Sequence, residues 1–104
     1  MSNSPISEQF RLAAKEWVEA DTAANLLEET KSAVLSEMML QQGDVAVSRA
    51  EMNVKASPAW TQHIEKMVKA RNAANMLKVK MEWLRMRFNE WQSAEASKRA
   101  EMRL

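Results

Sequence analysis

The chain of 104 residues has no cysteine, a single glycine, two prolines and one histidine. Without cysteine there is no disulfide and no thiol chemistry, which suits a cytoplasmic protein. With one imidazole, His63, no multi-histidine metal site can form within one copy, and one glycine cannot make a phosphate-cradling Gly-rich loop. No stretch approaches the roughly 18 apolar residues of a membrane span. The opening MSNSPISEQF lacks the basic and apolar regions of an export signal. The expectation is a soluble, unprocessed, cytoplasmic protein with no cofactor and no membrane contact.

What is present favours helix. The chain is 46% hydrophobic and 28% charged, the balance of a folded domain rather than a disordered one. Ala, Glu, Lys, Met and Leu dominate, and scarce Gly and Pro leave little to interrupt a helix. One helical domain over 1–104 is expected. Arm one covers about 5–42, a crossover 43–57, and arm two about 58–100. Ser4-Pro5 and Ser57-Pro58 both read as helix starts, with Ser as N-cap and Pro at the first helical position. Gly43 reads as the stop of arm one, with Asp44 able to cap the crossover segment. That crossover, DVAVSRAEMNVKA, fits either a short helix or an irregular link. Long helices in so short a chain expose much surface, so a second copy is a natural source of further burial.

Two phrases repeat fifty residues apart, AANLL at 23–27 and AANML at 73–77. Around them the charges reverse: Glu16, Glu19, Asp21, Glu28 and Glu37 align with Lys66, Lys69, Arg71, Lys78 and Arg87. Up to Gly43 there are three basic and seven acidic residues, and from Pro58 onward ten basic and five acidic. Both arms also carry a heptad seam: Phe10, Ala13, Trp17, Ala20, Ala24, Leu27, Val34 and Met38 on the first, and Trp60, Met67, Ala70, Ala74, Leu77, Met81, Leu84, Phe88 and Trp91 on the second. The predicted fold is all-α, a long antiparallel coiled-coil-like hairpin, assembling as a dimer or bundle.

In the simplest hairpin the facing residue numbers add to roughly 101. That register sets Ala13 against Phe88, Ala20 against Met81, Ala24 against Leu77, Leu27 against Ala74, and Phe10 against Trp91, so that large meets small. It also brings Asp21 near Lys78, Glu28 near Arg71, Glu37 near Lys66 and Glu16 near Arg87. Lys31 against Ala70 and Met38 against His63 are its poor layers.

Arm two has a second apolar stripe, Met76, Val79, Trp83 and Met86, pointing away from the seam. A helix apolar on two sides wants two neighbours. These four are the expected self-association surface. The same region interleaves aromatics with cations: Lys80, Trp83, Arg85 and Arg87 could stack on bases and neutralise phosphates of a nucleic acid. Against that stand the near-neutral total charge and the seam positions of Phe88 and Trp91. No acid/base pair or nucleophile constellation is legible, so no enzymatic activity is expected.

The segment KVKMEWLRMRFNEWQSAEASKRAEMRL, 78–104, resembles small bacteriophage-encoded helical proteins found among phage accessory and DNA-recombination genes, through the words Trp83-Leu84-Arg85-Met86-Arg87-Phe88 and Glu90-Trp91-Gln92-Ser93. The resemblance implies a phage or prophage origin, action in the host cytoplasm, and an accessory role without an active-site motif. Three functions are open at this point. The first is a non-enzymatic interaction module, pairing with itself and with an unidentified protein. The others are a DNA-binding accessory of recombination or replication, and an inhibitor of a host defence or nuclease complex using the acidic arm.

Overall fold

A computed structural model of the chain describes residues 5–103. It consists of four helices: α1 (Ile6–Glu29), α2 (Lys31–Leu40), α3 (Val47–Lys55) and α4 (Pro58–Met102). No strand occurs among the described residues. The molecule is a rod of 84 × 24 × 16 Å, with α1 lying along α4.

Ser4, the expected cap of α1, lies outside the described residues. Pro5 is not the first helical residue but the extended one before it (ψ 153°), and its carbonyl accepts from Glu8 N–H and Gln9 N–H at 3.0 Å. Arm one is not the single helix that its periodicity suggests, for it breaks at Thr30 (φ −90°, ψ 1°). The Thr30 hydroxyl donates to the Leu26 carbonyl at 2.7 Å, a local bond that competes with the backbone ladder and bends helices. After α2 the chain turns at Gly43, whose φ of +81° is the left-handed conformation that only glycine adopts without a Cβ penalty. The crossover contains the helix α3. Its N-cap residue is Ala46 with no side-chain cap bond, so Asp44 does not serve as the expected cap.

Ser57 does what its sequence position predicts. Its Oγ accepts from Trp60 N–H at 3.2 Å and donates to the Val54 carbonyl at 2.6 Å, closing α3 and opening α4 with one hydroxyl, and Pro58 stands in the first turn. This joint anchors a small core in which Ala50, Val54 and Trp60 are buried. α3 packs against both α2 and α4. The hairpin is thus two-helix along α1 and thickened at its closed end.

Along α1 the seam is where the heptads put it, but it does not continue past Thr30, because α2, with Val34 and Met38 half-buried, packs against α3 and not along α4. Phe10, Ala13, Trp17, Ala20, Ala24 and Leu27 on α1 are buried or half-buried, as are Met67, Ala70, Ala74, Leu77, Met81, Leu84 and Phe88 on α4. Lys31 interrupts the line and is exposed. Trp91 departs from the pattern at 52% exposure, lying at the level where α1 begins, beside Pro5, Ile6 and Ser7.

The register differs from the expected one by several residues: facing numbers add to about 96 and not 101. Ala13 clusters with Met81 and Leu84 rather than facing Phe88, with Phe10, Ala14 and Trp17 packed around them. Asp21 meets Arg71 rather than Lys78, at 2.6 Å. A slip of half a heptad or a whole one leaves a and d positions on the seam, so apolar periodicity cannot distinguish the alignments. The flanks do. Arg71 donates to Asp21 Oδ1 at 2.6 Å, to Asn25 Oδ1 at 2.6 Å and to both carboxylate oxygens of Glu28 at 2.9 Å. Of the four ion pairs expected from charge reversal only Glu28 with Arg71 forms. Among the described residues no ion pair joins Asp21 to Lys78, Glu37 to Lys66 or Glu16 to Arg87. Between the helices Ala20 and Ala70 are half-buried. Ala24 and Ala74 are 0% exposed, sealed completely by the surrounding structure.

These contacts can be tested through stability. The hydrogen bond from Arg71 holds the Glu28 carboxyl below its ordinary value of 4.5. Because the folded-state pKa is depressed, the stabilisation is present above that value and is lost as pH falls through the folded one. Tm should therefore decline between about pH 5 and pH 3, and Arg71→Leu should remove part of that decline; an unaltered acid limb in the variant would contradict the pairing. At the closed end, His63 Nε2 is buried without a hydrogen-bond partner, its ring 5.8 Å from that of Trp60. His63→Phe keeps a ring there and removes the unpaired atom, so it should raise stability by about 1 kcal/mol in urea unfolding, whereas a loss of stability would show that the nitrogen is needed.

Candidate interaction surface on α4

α4 is a helix of 45 residues, and α1 covers only one side of it. The other side carries Met76, Val79, Trp83 and Met86, exposed by 70, 61, 54 and 60% respectively. At 100° per residue this stripe centres roughly 160° from the seam. The steps between its members are three, four and three residues, the a/d spacing that builds the hairpin's own seam. The sequence-predicted surface is thus on one face, solvent-exposed and uncovered by its own chain.

The proposed nucleic-acid residues do not share one side. The Arg87 guanidinium lies over the Trp83 ring, 5.4 Å from its centre, and Lys80 lies on the same flank one heptad before Arg87. Arg85 points elsewhere, over the Phe10 ring of α1 at 5.8 Å, beside the seam. Three of the four therefore gather and the fourth is tied to the hairpin. The other flank of the stripe carries Asn75, Glu82 and Asn89, all exposed. The stripe is bordered by cations on one side and by a carboxylate and amides on the other.

Two further apolar features lie at the ends of the hairpin. Phe88 and Trp91 stack at 6.0 Å and line a notch with Pro5, Ile6 and Ser7 at the open end. At the closed end a shallow groove between α2 and α3 includes Met39, Leu40, Val45 and Val47, with Leu40 and Val47 well exposed. The notch is built on two residues of the heptad seam, whereas the groove has no regular spacing and sequence periodicity offers no signal for it.

Among the described residues there is no group of three or more His, Asp or Glu side chains able to hold a metal ion, and no helix long and apolar enough to cross a membrane. Chemically the α4 face can desolvate apolar surface and order charge along its edges. The chain matches no protein-family model, no curated relative and no solved structure.

Proposed function

We propose that this protein is a non-enzymatic helical interaction module that assembles with a second copy through the outer face of α4, and in that form serves a further protein partner. It acts as an accessory protein of the kind its segment 78–104 resembles. The observation that carries the reading is the exposed stripe Met76, Val79, Trp83 and Met86, spaced like a coiled-coil seam on a helix whose opposite face is already occupied. Apolar side chains scattered singly on a surface need no explanation, but four in heptad spacing along one line favour burial against another helix. Each that passes from half-exposed to buried contributes roughly 1 kcal/mol.

A second reading, DNA binding, is favoured by the gathering of Lys80, Trp83 and Arg87 on one flank. It uses the same residues, and the separation of Arg85 from them weakens it.

Sedimentation equilibrium should give a mass above the 11.9 kDa of one chain, rising with concentration, and the Val79→Glu/Trp83→Asp variant should return it to 11.9 kDa. An unchanged mass in the variant would remove the assembly reading. Fluorescence anisotropy with labelled single- and double-stranded oligonucleotides over a salt series addresses the second reading, which fails if nothing binds near about 50 mM salt.

A further inference from the structure

At the open end α4 outruns α1. With facing numbers adding to about 96, Pro5 stands level with Trp91, and residues 92–102 continue for about 16 Å past it. All of them are exposed except the half-buried Glu95. We infer that these projecting ends pair with one another: segment 91–102 of one copy lies antiparallel on that of a second, along the line of the seam, and joins two hairpins end to end. The contact lies outside the stripe of Met76, Val79, Trp83 and Met86 and does not depend on the outer-face reading.

The heptad with Phe88 at a and Trp91 at d runs on through Glu95 at a, Lys98 at d and Met102 at a. From Trp91 outward the seam positions therefore read apolar, acid, base, apolar. An antiparallel pair sets a against d, and facing numbers that add to about 193 place Trp91 against Met102 and Glu95 against Lys98, each twice. Apolar meets apolar and acid meets base in every layer. The edges agree, since Gln92 comes near Arg99 and Ala94 near Glu101. The two Arg99 side chains are the nearest like charges, and they are offset by about 7.5 Å along the axis. The neighbouring alignments fail. A parallel pair in register sets Glu95 against Glu95 and Lys98 against Lys98. An antiparallel slip of half a heptad inward brings Glu95 against its own copy, and the same slip outward does so for Lys98. A whole heptad inward drives the arriving tip onto Leu84, which α1 already covers, and a whole heptad outward leaves Trp91 bare.

The notch at the open end suits the tip that arrives. Pro5, Ile6, Ser7, Phe88 and Trp91 line a space of about 310 Å³ where α1 starts, and Met102 of the second copy comes level with Trp91 there. Methionine is unbranched and adapts to an irregular gap. Pairing covers both Met102, 85% exposed, and Trp91, the uncovered end of the seam. Among the described residues neither Glu95 nor Lys98 forms an ion pair within its own chain. The arriving segment runs in the same direction as α1, so the carbonyl end of its helix approaches the N–H end of α1, a favourable alignment of helix dipoles. A lone helical segment of this length has little stability of its own in water, and a second one beside it supplies the missing surface.

The overlap is under two heptads, far below the roughly 1,600 Å² of a standard interface, so the dissociation constant is expected on the order of 100 μM or above. At low micromolar concentration the ends are therefore unpaired, and mass measurements there report the outer face alone. The Val79→Glu/Trp83→Asp variant silences that face and isolates the end contact. Small-angle X-ray scattering of this variant from about 20 μM to about 1 mM should show the maximum dimension rising from the 84 Å of one rod toward the length, about 150 Å, of two joined end to end. Adding Lys98→Glu sets acid against acid in two layers and should weaken the association roughly fivefold or more. Adding Glu95→Lys as well restores opposite charges and should recover most of the lengthening. A dimension that stays at one rod's length throughout, a doubled mass without lengthening, or undiminished lengthening with Lys98→Glu overturns the end-to-end pairing.

Discussion

Arg71 reaches from α4 to three side chains on one face of α1, Asp21, Asn25 and Glu28, spaced four and three residues apart. The rest of the structure depends on this clamp. A heptad seam holds two helices together but does not say how far along each other they sit, because any slip by a heptad returns apolar residues to apolar residues. A guanidinium with planar, directional donors distinguishes one alignment from the next, since it matches two carboxylates and an amide oxygen in only one position along the facing helix. That alignment sets which residues cover Ala24 and Ala74, the exposure of Trp91, and the projection of segment 92–102.

The alignment also decides what α4 shows to solvent. A two-helix rod cannot surround either helix, so about half of α4 stays outside whatever the register. In most such helices that outer half is polar. Here it is polar along Lys69, Asn72 and Glu90 but apolar at Met76, Val79, Trp83 and Met86, midway along the helix and opposite the buried Met81 and Leu84. One stretch of helix thus carries two apolar stripes back to back, the inner covered by α1 and the outer by nothing among the described residues. The cation–π contact of Arg87 with Trp83 partly shields the outer seam and keeps a charge at its margin.

The seams, the Ser57-Pro58 start, the Gly43 turn and the outer stripe were legible in the sequence because each is a local pattern with a fixed spacing. The register was not, since the pattern that reveals a seam is unchanged by the slip that separates the expected Ala13–Phe88 layer from the observed cluster of Ala13 with Met81 and Leu84. Charge reversal suggested one-to-one pairs such as Asp21 with Lys78, whereas a single arginine gathers two acids and leaves Lys78 exposed. The break at Thr30 was missed because threonine is tolerated within helices and bends them only when its hydroxyl bonds backward. Arg85 and Arg87, two residues apart, lie on different sides of α4, so their proximity in sequence overstated a common nucleic-acid site. The repeated AAN phrases came to differ in role: Asn25 accepts from Arg71, while Asn75 stays exposed beside the outer stripe.

The claim that the hairpin is intramolecular and held several residues away from its alternative is tested most directly by spin-label distances. Labels on Glu16→Cys paired with Lys78→Cys, and on Glu16→Cys paired with Arg85→Cys, probe the two alignments separately, and tenfold dilution with unlabelled protein isolates distances within one chain. The structure predicts the shorter distance for the first pair, persisting undiminished on dilution. A shorter distance for the second pair would contradict the register, and loss of the signal on dilution would show that the two arms pair between chains.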